Sequence, residues 1–190
     1  MKFRAFISAD VEPSDALVGV IEELSRSRAD LKIVKPELLH ITLTFLGDTD
    51  EGLVEEVVTR ISRATQGMEP FGIRLRGMGA FPSMSNIRIV WVGIEDGKPL
   101  QDIAGRLDVS MNDLGFDRDR KGFVPHLTLA RTRSGRNIAN VQEILRTKAA
   151  SDYGEYQIDK ILLKKSVLSP SGPTYSTVRE HRLGSIPTSA

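Results

Sequence analysis

Two short segments of the chain repeat the same residue types at the same spacing. Residues 40–43 read His-Ile-Thr-Leu, and residues 126–129 read His-Leu-Thr-Leu. Because alternate residues of a β-strand point to the same face, each histidine is expected to share a face with its threonine, while the aliphatic residues pack on the other face. The pattern therefore predicts two imidazole–hydroxyl pairs at equivalent positions of two strands.

These side chains suit the cleavage of a phosphate ester. Histidine has an ordinary pKa of about 6.5, so one member of a pair is able to act as a base while the other acts as an acid near neutral pH. Hydrolysis of a phosphodiester needs both groups, on opposite sides of the phosphorus, and hydroxyl groups are able to bind the non-bridging oxygens. We predict that His40 and His126 form this acid–base pair. Thr42 and Thr128 are predicted to bind the phosphate.

Two simpler interpretations of the motifs stay open: ordinary strand residues, or part of a metal site. The chain has only three histidines, and two of them occupy matching positions, which favours the catalytic interpretation. Catalytic zinc usually has three protein ligands, and no convincing third ligand accompanies the two motifs. We therefore expect neither a metal nor another cofactor.

The segments around the motifs follow one order in both halves: a helix, an extended run, the motif strand and a second helix. Apolar spacing and turn residues predict helices at about 13–24, 53–61, 100–114 and 138–145. Strands are predicted at about 3–9, 38–46, 71–75, 87–94, 124–131, 156–168 and 174–183, with a Gly/Pro/Ser/Asn loop carrying Phe81-Pro82 between the third and fourth. The chain thus contains an internal repeat.

Two copies of the repeat are too few for a solenoid, which needs three or more. We expect the halves to pack about an approximate twofold axis, which makes the protein α+β. It would have two lobes, each an antiparallel-rich sheet with helices on its outer face, and the active-site cleft between them. No linker divides the chain, so residues 1–190 are expected to form a single bilobal domain, with 185–190 as a frayed tail.

Composition narrows the chemistry further. The chain has no cysteine, which excludes disulfides, thiolate zinc sites and cysteine nucleophiles. Its formal net charge of +1 provides no overall field that would attract nucleic acid, so RNA binding would require a local basic patch. The apolar start of the chain is too short for a signal peptide, and no run approaches the ~20 apolar residues of a membrane span. We expect a cytoplasmic protein.

The duplicated His-x-Thr-x motif, with its flanks and order of elements, resembles the 2H phosphoesterase superfamily. Within it, the chain is similar to the RNA 2′,3′-cyclic phosphodiesterase branch, also called 2′-5′ RNA ligase. The resemblance covers nearly the whole chain. Further matches are the starting strand 4–7, Phe81-Pro82 before Ile89-Val90-Trp91, Ala130-Arg131 after the second motif, and the segment from Ser169-Pro170 to Tyr175.

The resemblance implies a bilobal, pseudo-twofold fold and an activity. Water would open a terminal 2′,3′-cyclic phosphate to a 2′-phosphomonoester, with His40 as the proton donor to the leaving 3′ oxygen and His126 as the proton acceptor. This division of roles comes from the family, because the repeat is nearly symmetric. The expected partner is RNA with a 2′,3′-cyclic phosphate end, or a small cyclic nucleotide, bound by a monomer that has no membrane contact.

Three further residues are candidates for substrate binding. Residues 117–136 carry six basic and two acidic side chains, and Arg131 among them resembles the family's phosphate-contacting arginine. Strict strand alternation would point Arg131 away from the motif side chains unless a bulge or a strand end intervenes. Phe81 and Tyr175 are candidates for stacking on a terminal base, or are loop aromatics that pack on the core. His181 is expected to be a surface residue without a role.

Three functions compete for this site. The first is hydrolysis of 2′,3′-cyclic phosphate ends. The second is 2′-5′ ligation of tRNA halves, in which a 5′-hydroxyl end takes the place of water, and the third is a non-catalytic RNA-binding module. Water favours hydrolysis over ligation, and a simple binding module would not need two histidines as proton carriers.

Overall fold

The computed structural model describes residues 1–118, 122–169 and 172–184, which form two antiparallel sheets and four α-helices. The elements are β1 (Lys2–Asp10), α1 (Asp15–Arg26), β2 (Leu31–Ile33), β3 (His40–Asp50), α2 (Val54–Ala64), β4 (Phe71–Ser83), β5 (Asn86–Glu95), α3 (Lys98–Asn112), β6 (His126–Thr132), α4 (Ile138–Thr147), β7 (Asp152–Ile158), β8 (Lys160–Ser169) and β9 (Gly172–Arg182). The α+β prediction is confirmed. Within these ranges, no helix combines the length and apolar character needed to span a bilayer.

The two motif strands belong to different sheets. The first sheet has the strand order β3-β1-β8-β9, and the second sheet has the order β2-β6-β5-β4-β7. Strands β3 and β6 contact each other, so the two motifs meet where the sheets meet. A short segment links them: β2 pairs with β6 in the second sheet, and the chain then crosses to the first sheet, where His40 begins β3.

The sheets do not coincide with the two halves of the sequence, contrary to the expectation that each half supplies one sheet with its own helices. Strands β8 and β9 follow the second repeat but complete the first sheet, and β2 precedes the first motif but joins the second sheet. The helices are exchanged as well. Helix α1 packs with α4 on the second sheet, whereas α3 packs with α2 on the first. The repeats therefore interlock.

Amphipathic helices cover the sheets. Their apolar residues recur at helical spacing and so form one apolar face, which packs against a sheet. In α1, the buried residues are Leu17, Val20, Ile21 and Leu24. Ser14 caps this helix by accepting a hydrogen bond from the Leu17 backbone N–H, and its hydroxyl also hydrogen-bonds to that of Tyr156 on β7. One hydrophobic cluster extends under both sheets, which anchors the motif strands from behind.

Two details of the sequence prediction are wrong. The expected loop around Phe81 is strand: β4 continues to Ser83 and pairs with β5 through a tight turn at residues 84–85. A bulge at Gly77 allows this continuation, since its φ of +70° favours glycine. The predicted strand at 156–168 is two strands, β7 and β8, which separate at Asp159 and enter different sheets. The predicted tail 185–190 lies outside the described residues, as does the centre of the turn at 169–173.

Candidate active site

Each motif histidine is held by the same hydrogen bond. Nδ1 of His40 lies 2.7 Å from the carbonyl oxygen of Leu38, and Nδ1 of His126 lies 2.7 Å from that of Val124. A carbonyl oxygen only accepts, so Nδ1 carries the proton in both rings. The Nε2 atom of each neutral imidazole is thereby left as the proton acceptor, which is the arrangement that an acid–base pair requires.

Both motif strands contain a bulge at the same place. In β3, Ser8 pairs with Thr42 and Ile7 with Thr44, so Leu43 is the extra residue. In β6, Trp91 pairs with Thr128 and Val90 with Ala130, so Leu129 is the extra residue. The last leucine of each motif is buried in the core at this bulge. The two copies of the repeat therefore match in strand register as well as in sequence.

The bulge reverses the alternation of the residues that follow it. We define the motif face of each sheet as the face that carries its motif histidine and threonine. In the second sheet, Gly93, Trp91 and Ile89 alternate along β5, and they pair with His126, Thr128 and Arg131 respectively. Arg131 consequently lies on the motif face, and the bulge removes the conflict between its position and strict alternation.

Arg131 also shows that the two motifs converge. Its positive charge lowers the pKa of His40 and of His126, and it acts in the same direction on the pKa of Tyr175. One guanidinium is thus close to groups on both sheets. Lys32 on β2 pairs with Arg131 across the strands and adds a second cation. Neither cation forms an ion pair with another described residue.

The first sheet surrounds His40 with aromatic rings. Phe6 lies 5.1 Å and Tyr175 5.2 Å from the His40 ring, measured between ring centroids, and the two aromatic rings are 5.2 Å from each other. Phe45 is a further neighbour of Phe6, with their ring centroids 6.3 Å apart. His40 therefore packs against aromatic rings of its own sheet.

A partly buried ion pair completes the first sheet's side of the site. Asp10 pairs with His40 across β1 and β3, and the Nζ of Lys164 on β8 lies 2.5 and 2.6 Å from its two carboxylate oxygens. The Lys164 side chain is only 10% exposed, so its charge is compensated inside the protein. The carboxylate of Asp10 raises the pKa of His40, whereas the ammonium of Lys164 lowers it.

The second sheet presents a different wall to His126. The Phe81 ring meets the His126 ring edge-on at 5.0 Å and lies 5.1 Å from Trp91. The indole of Trp91 covers Gly79, where a Cβ atom would come within 2.3 Å of the ring. Only glycine leaves room for this packing, so Gly79 fixes Trp91, and Trp91 in turn supports Phe81.

Burial dominates the electrostatics of both histidines. It is the largest cause of the lowered pKa of His40 and of His126, and the hydrogen bond to a backbone carbonyl opposes it in each case. Both rings therefore favour the neutral form in the free protein. The threonine hydroxyls of the motifs form no hydrogen bond with another described residue, so both are available to a ligand.

The structure brings together the residues that the sequence singled out. His40, Thr42 and Tyr175 lie on the motif face of the first sheet, and His126, Thr128, Arg131 and Phe81 on that of the second. His181 stands on β9 opposite Ile161, away from these contacts. Within the described part of the chain, no three His, Cys, Asp or Glu side chains are grouped as metal ligands.

Several residues in or next to the surroundings of the motif side chains were missed by the sequence reasoning. They are Phe6, Asp10, Lys32, Phe45, Trp91 and Lys164. One signal was available: Lys164 directly follows the aliphatic run Ile161-Leu162-Leu163 inside a predicted strand, where a buried charge needs a partner. The others depend on which strands become neighbours, and spacing alone does not give that.

Comparison with known families and proteins gives a consistent result. The model of the 2′-5′ RNA ligase superfamily matches residues 13–166. An RNA 2′,3′-cyclic phosphodiesterase of Methanothermobacter thermautotrophicus is 35% identical over 185 residues, covering 96% of this chain and 100% of that protein. A protein of the same name from Archaeoglobus fulgidus is 36% identical over 178 residues, covering 93% and 98%.

Solved structures with the same fold include TT0787 of Thermus thermophilus, with a TM-score of 0.78 and 28% identity over 95% of this chain and 97% of that one. The E. coli LigT structure complexed with 3′-AMP has a TM-score of 0.76 and 20% identity, covering 97% and 100%. At the latter identity, the likeness shows the fold alone.

Proposed function

Since this chain belongs to the 2′-5′ RNA ligase superfamily, we propose that it hydrolyses terminal 2′,3′-cyclic phosphates of RNA or nucleotides to 2′-phosphomonoesters. The observation that carries the proposal is the matched pair of Nδ1–carbonyl hydrogen bonds, which leaves one Nε2 atom on each motif face for proton transfer. Two relatives that align over nearly their whole length bear the name of this activity.

The reaction assigns one role to each motif. Nε2 of His126 takes a proton from water as the water oxygen bonds to phosphorus, and the bond from phosphorus to the 3′ oxygen breaks. The protonated His40 gives its proton to that oxygen, which leaves a 3′-hydroxyl and a 2′-phosphate. Both pKa values shift in the same direction, so the assignment of the acid to His40 rests on the family resemblance.

The negative charge of the reacting phosphate requires hydrogen-bond donors and a nearby positive charge. Thr42 and Thr128 would each donate one hydrogen bond to a phosphate oxygen, and Arg131 would add its positive charge, which already acts on both histidines. A bound phosphate would also favour protonation of a neighbouring imidazole, which opposes the effect of burial. The acid therefore becomes charged when substrate binds.

The same geometry would accept a 5′-hydroxyl in place of water, which would form a 2′-5′ linkage as the superfamily description suggests. An assay with paired tRNA halves tests this second activity, and no joined product is expected when water competes freely. A monomeric state and a cytoplasmic location stay predictions.

The deciding experiment follows adenosine 2′,3′-cyclic phosphate without added metal and with a chelator present. We expect turnover to adenosine 2′-phosphate by the wild type, and a fall in kcat of roughly 10²- to 10⁴-fold in His40→Ala and in His126→Ala. His181→Ala is the matched control and should retain activity. Full activity in either motif variant, or a 3′-phosphate product, would contradict the proposal.

A further inference from the structure

One buried hydroxyl on the motif face of the first sheet lacks a partner. The side chain of Ser8 on β1 is fully buried, and its Oγ atom forms no hydrogen bond with another described residue. A buried hydroxyl without a partner is unfavourable, and alanine would avoid this cost at the same position. The residues around Ser8 indicate which partner its hydroxyl meets when a ligand is bound.

Ser8 lies directly opposite a motif threonine. It pairs with Thr42 across β1 and β3, so the two side chains share the motif face. Residues opposite each other in an antiparallel pair have Cβ atoms roughly 4.5–5.5 Å apart, a separation at which serine and threonine form hydrogen bonds across the strands. The Thr42 hydroxyl also forms no hydrogen bond with another described residue. Two hydroxyls without partners are therefore neighbours, and a bond between them requires only side-chain rotation.

The other side chains next to Ser8 are less suited as its partner. Asp10, two residues further along β1, is bound at both carboxylate oxygens by the ammonium of Lys164. On the side of β8, Ser8 pairs with Leu162, which is buried and has no polar side-chain atom. Thr42 is thus the neighbour across the strands whose oxygen is able to accept a hydrogen bond from Ser8.

Resting on the proposed function, we infer that Ser8 is a positioning residue, whose hydroxyl donates to Thr42 and thereby aims the Thr42 hydroxyl at the phosphate. A threonine that donates its proton to a phosphate oxygen keeps lone pairs that accept a bond from Ser8. Hydrogen bonds in such a series polarise and strengthen one another. Ser8 gains in the complex the partner that it lacks in the free protein, so the cost of its burial is recovered on binding.

The first test compares binding with stability. In calorimetric titrations with adenosine 2′-monophosphate, Ser8→Ala should raise Kd by roughly 2- to 10-fold, as expected for the loss of one neutral hydrogen bond. The same variant should melt at the wild-type temperature or above it, because it removes a buried hydroxyl that has no partner in the free protein. Ser8→Cys keeps a similar volume but is only a weak donor, so it should bind like Ser8→Ala.

A double-mutant cycle identifies the residue through which Ser8 acts. Thr42→Val removes the hydroxyl that Ser8 is inferred to orient, so Ser8→Ala should have no further effect in that background, either on Kd or on kcat/KM for adenosine 2′,3′-cyclic phosphate. The pKa of His40, followed by NMR, should be unchanged in Ser8→Ala. A shift of that pKa would mean that Ser8 acts through the histidine instead, and would overturn the inference.

Tyr153→Phe is the matched control, because it also removes a buried hydroxyl but lies on β7, in the hydrophobic core and away from both motif faces. It should change neither Kd nor kcat/KM. The inference is also overturned if Ser8→Ala binds like the wild type, if its effect is equally large in the Thr42→Val background, or if weaker binding accompanies a lower melting temperature. Absence of hydrolysis in the wild type would contradict the proposed function alone, because the calorimetric comparison needs no turnover.

Discussion

The two motif faces of this protein share a framework and differ in what surrounds it. Both have a histidine that donates Nδ1–H to a carbonyl two residues earlier, and both have a bulge directly after the threonine. Around His40 stand the partly buried Asp10–Lys164 ion pair and the exposed ring of Phe45. The second sheet has Gly93 at the place of Asp10 and Arg131 at the place of Phe45.

The repeat supplies the two histidine–threonine pairs, whereas the residues around each pair differ between the two sheets. The two ends of the cleft are therefore not equivalent. A symmetric pair of imidazoles would bind a phosphate in either orientation. The neighbours differ in kind: a cation, Arg131, lies on one motif face, and an exposed ring, Phe45, lies on the other. Changes that exchange or remove these neighbours therefore test the comparison most directly.

The largest effect is expected at Arg131. Replacement by alanine removes the charge that acts on both histidines and should lower kcat/KM by roughly 10²- to 10³-fold, as for other groups that stabilise transition-state charge. Arg131→Lys should recover part of this loss, because it restores the charge without the planar guanidinium. Steady-state kinetics on adenosine 2′,3′-cyclic phosphate measure both variants.

A double variant tests whether positions 45 and 131 are equivalent. If the motif faces are related as their registers indicate, Phe45→Arg combined with Arg131→Ala should regain part of kcat while KM stays high. No recovery, in a variant that melts like the wild type, would mean that position 45 cannot bring a cation to the phosphate as position 131 does.

A smaller effect is expected from the Asp10–Lys164 ion pair. Lys164→Met leaves the Asp10 carboxylate without its partner, which should lower stability by about 1–3 kcal/mol and raise the pKa of His40. Asp10→Asn should lower that pKa instead. The other groups acting on His40 are Arg131 and the Leu38 carbonyl, which both variants retain.

NMR titration of the imidazole C–H signals measures these shifts, and His126 serves as the internal control because neither Asp10 nor Lys164 acts on its pKa. Asp10→Asn combined with Lys164→Met should recover stability by removing both charges. Equal shifts at both histidines would show that the pair does not distinguish the two sheets.

The packing of the second sheet is tested at Gly79. Alanine there would bring a Cβ atom into the Trp91 ring, and the indole would have to move together with Phe81. We expect a loss of about 1–3 kcal/mol in stability, typical of overpacking, and a decrease in kcat through displacement of His126. Gly19→Ala in α1 is the control, because nothing lies within 4 Å of the new Cβ atom. Unchanged melting and kinetics would show that Trp91 does not support the site.

The weakest expected effect is on stability as a function of pH. Both motif histidines have a folded pKa below the ordinary value of 6.5, so below that value the unfolded chain binds more protons than the folded one. The neutral histidines contribute fully to the free energy of unfolding above pH 6.5. This contribution is lost as the pH falls from 6.5 through the folded pKa values. Urea midpoints at about pH 5 and about pH 7.5, on either side of this window, measure the loss.

The double variant His40→Gln and His126→Gln should reduce the difference between the two midpoints. Some dependence should persist, because burial also lowers the pKa of His181. An unchanged difference in the double variant would show that the motif histidines are not desolvated in the folded protein.

Local patterns in the sequence predicted the helices well, because a helix depends on residues three and four positions apart. Leu17, Val20, Ile21 and Leu24 form the buried face of α1 as their spacing indicated. The strand through Phe81 was interpreted as a loop, since Gly77, Gly79 and Pro82 are typical of turns. Tertiary packing overrode that preference: the bulge at Gly77 and the ring over Gly79 both require glycine inside a strand.

By itself, the sequence determined the α+β class and the two equivalent His-x-Thr segments, because residue type and spacing are local properties. It also identified Arg131 as a candidate for phosphate binding, but it did not decide on which face of the sheet Arg131 lies. Only the tertiary structure decided that face, because the bulge at Leu129 depends on the register of β6 against β5. The exchange of helices between the sheets and the placement of Asp10, Lys164 and Phe45 around His40 were decided in the same way. Such contacts join residues far apart in the chain, and their energies depend on which strands become neighbours.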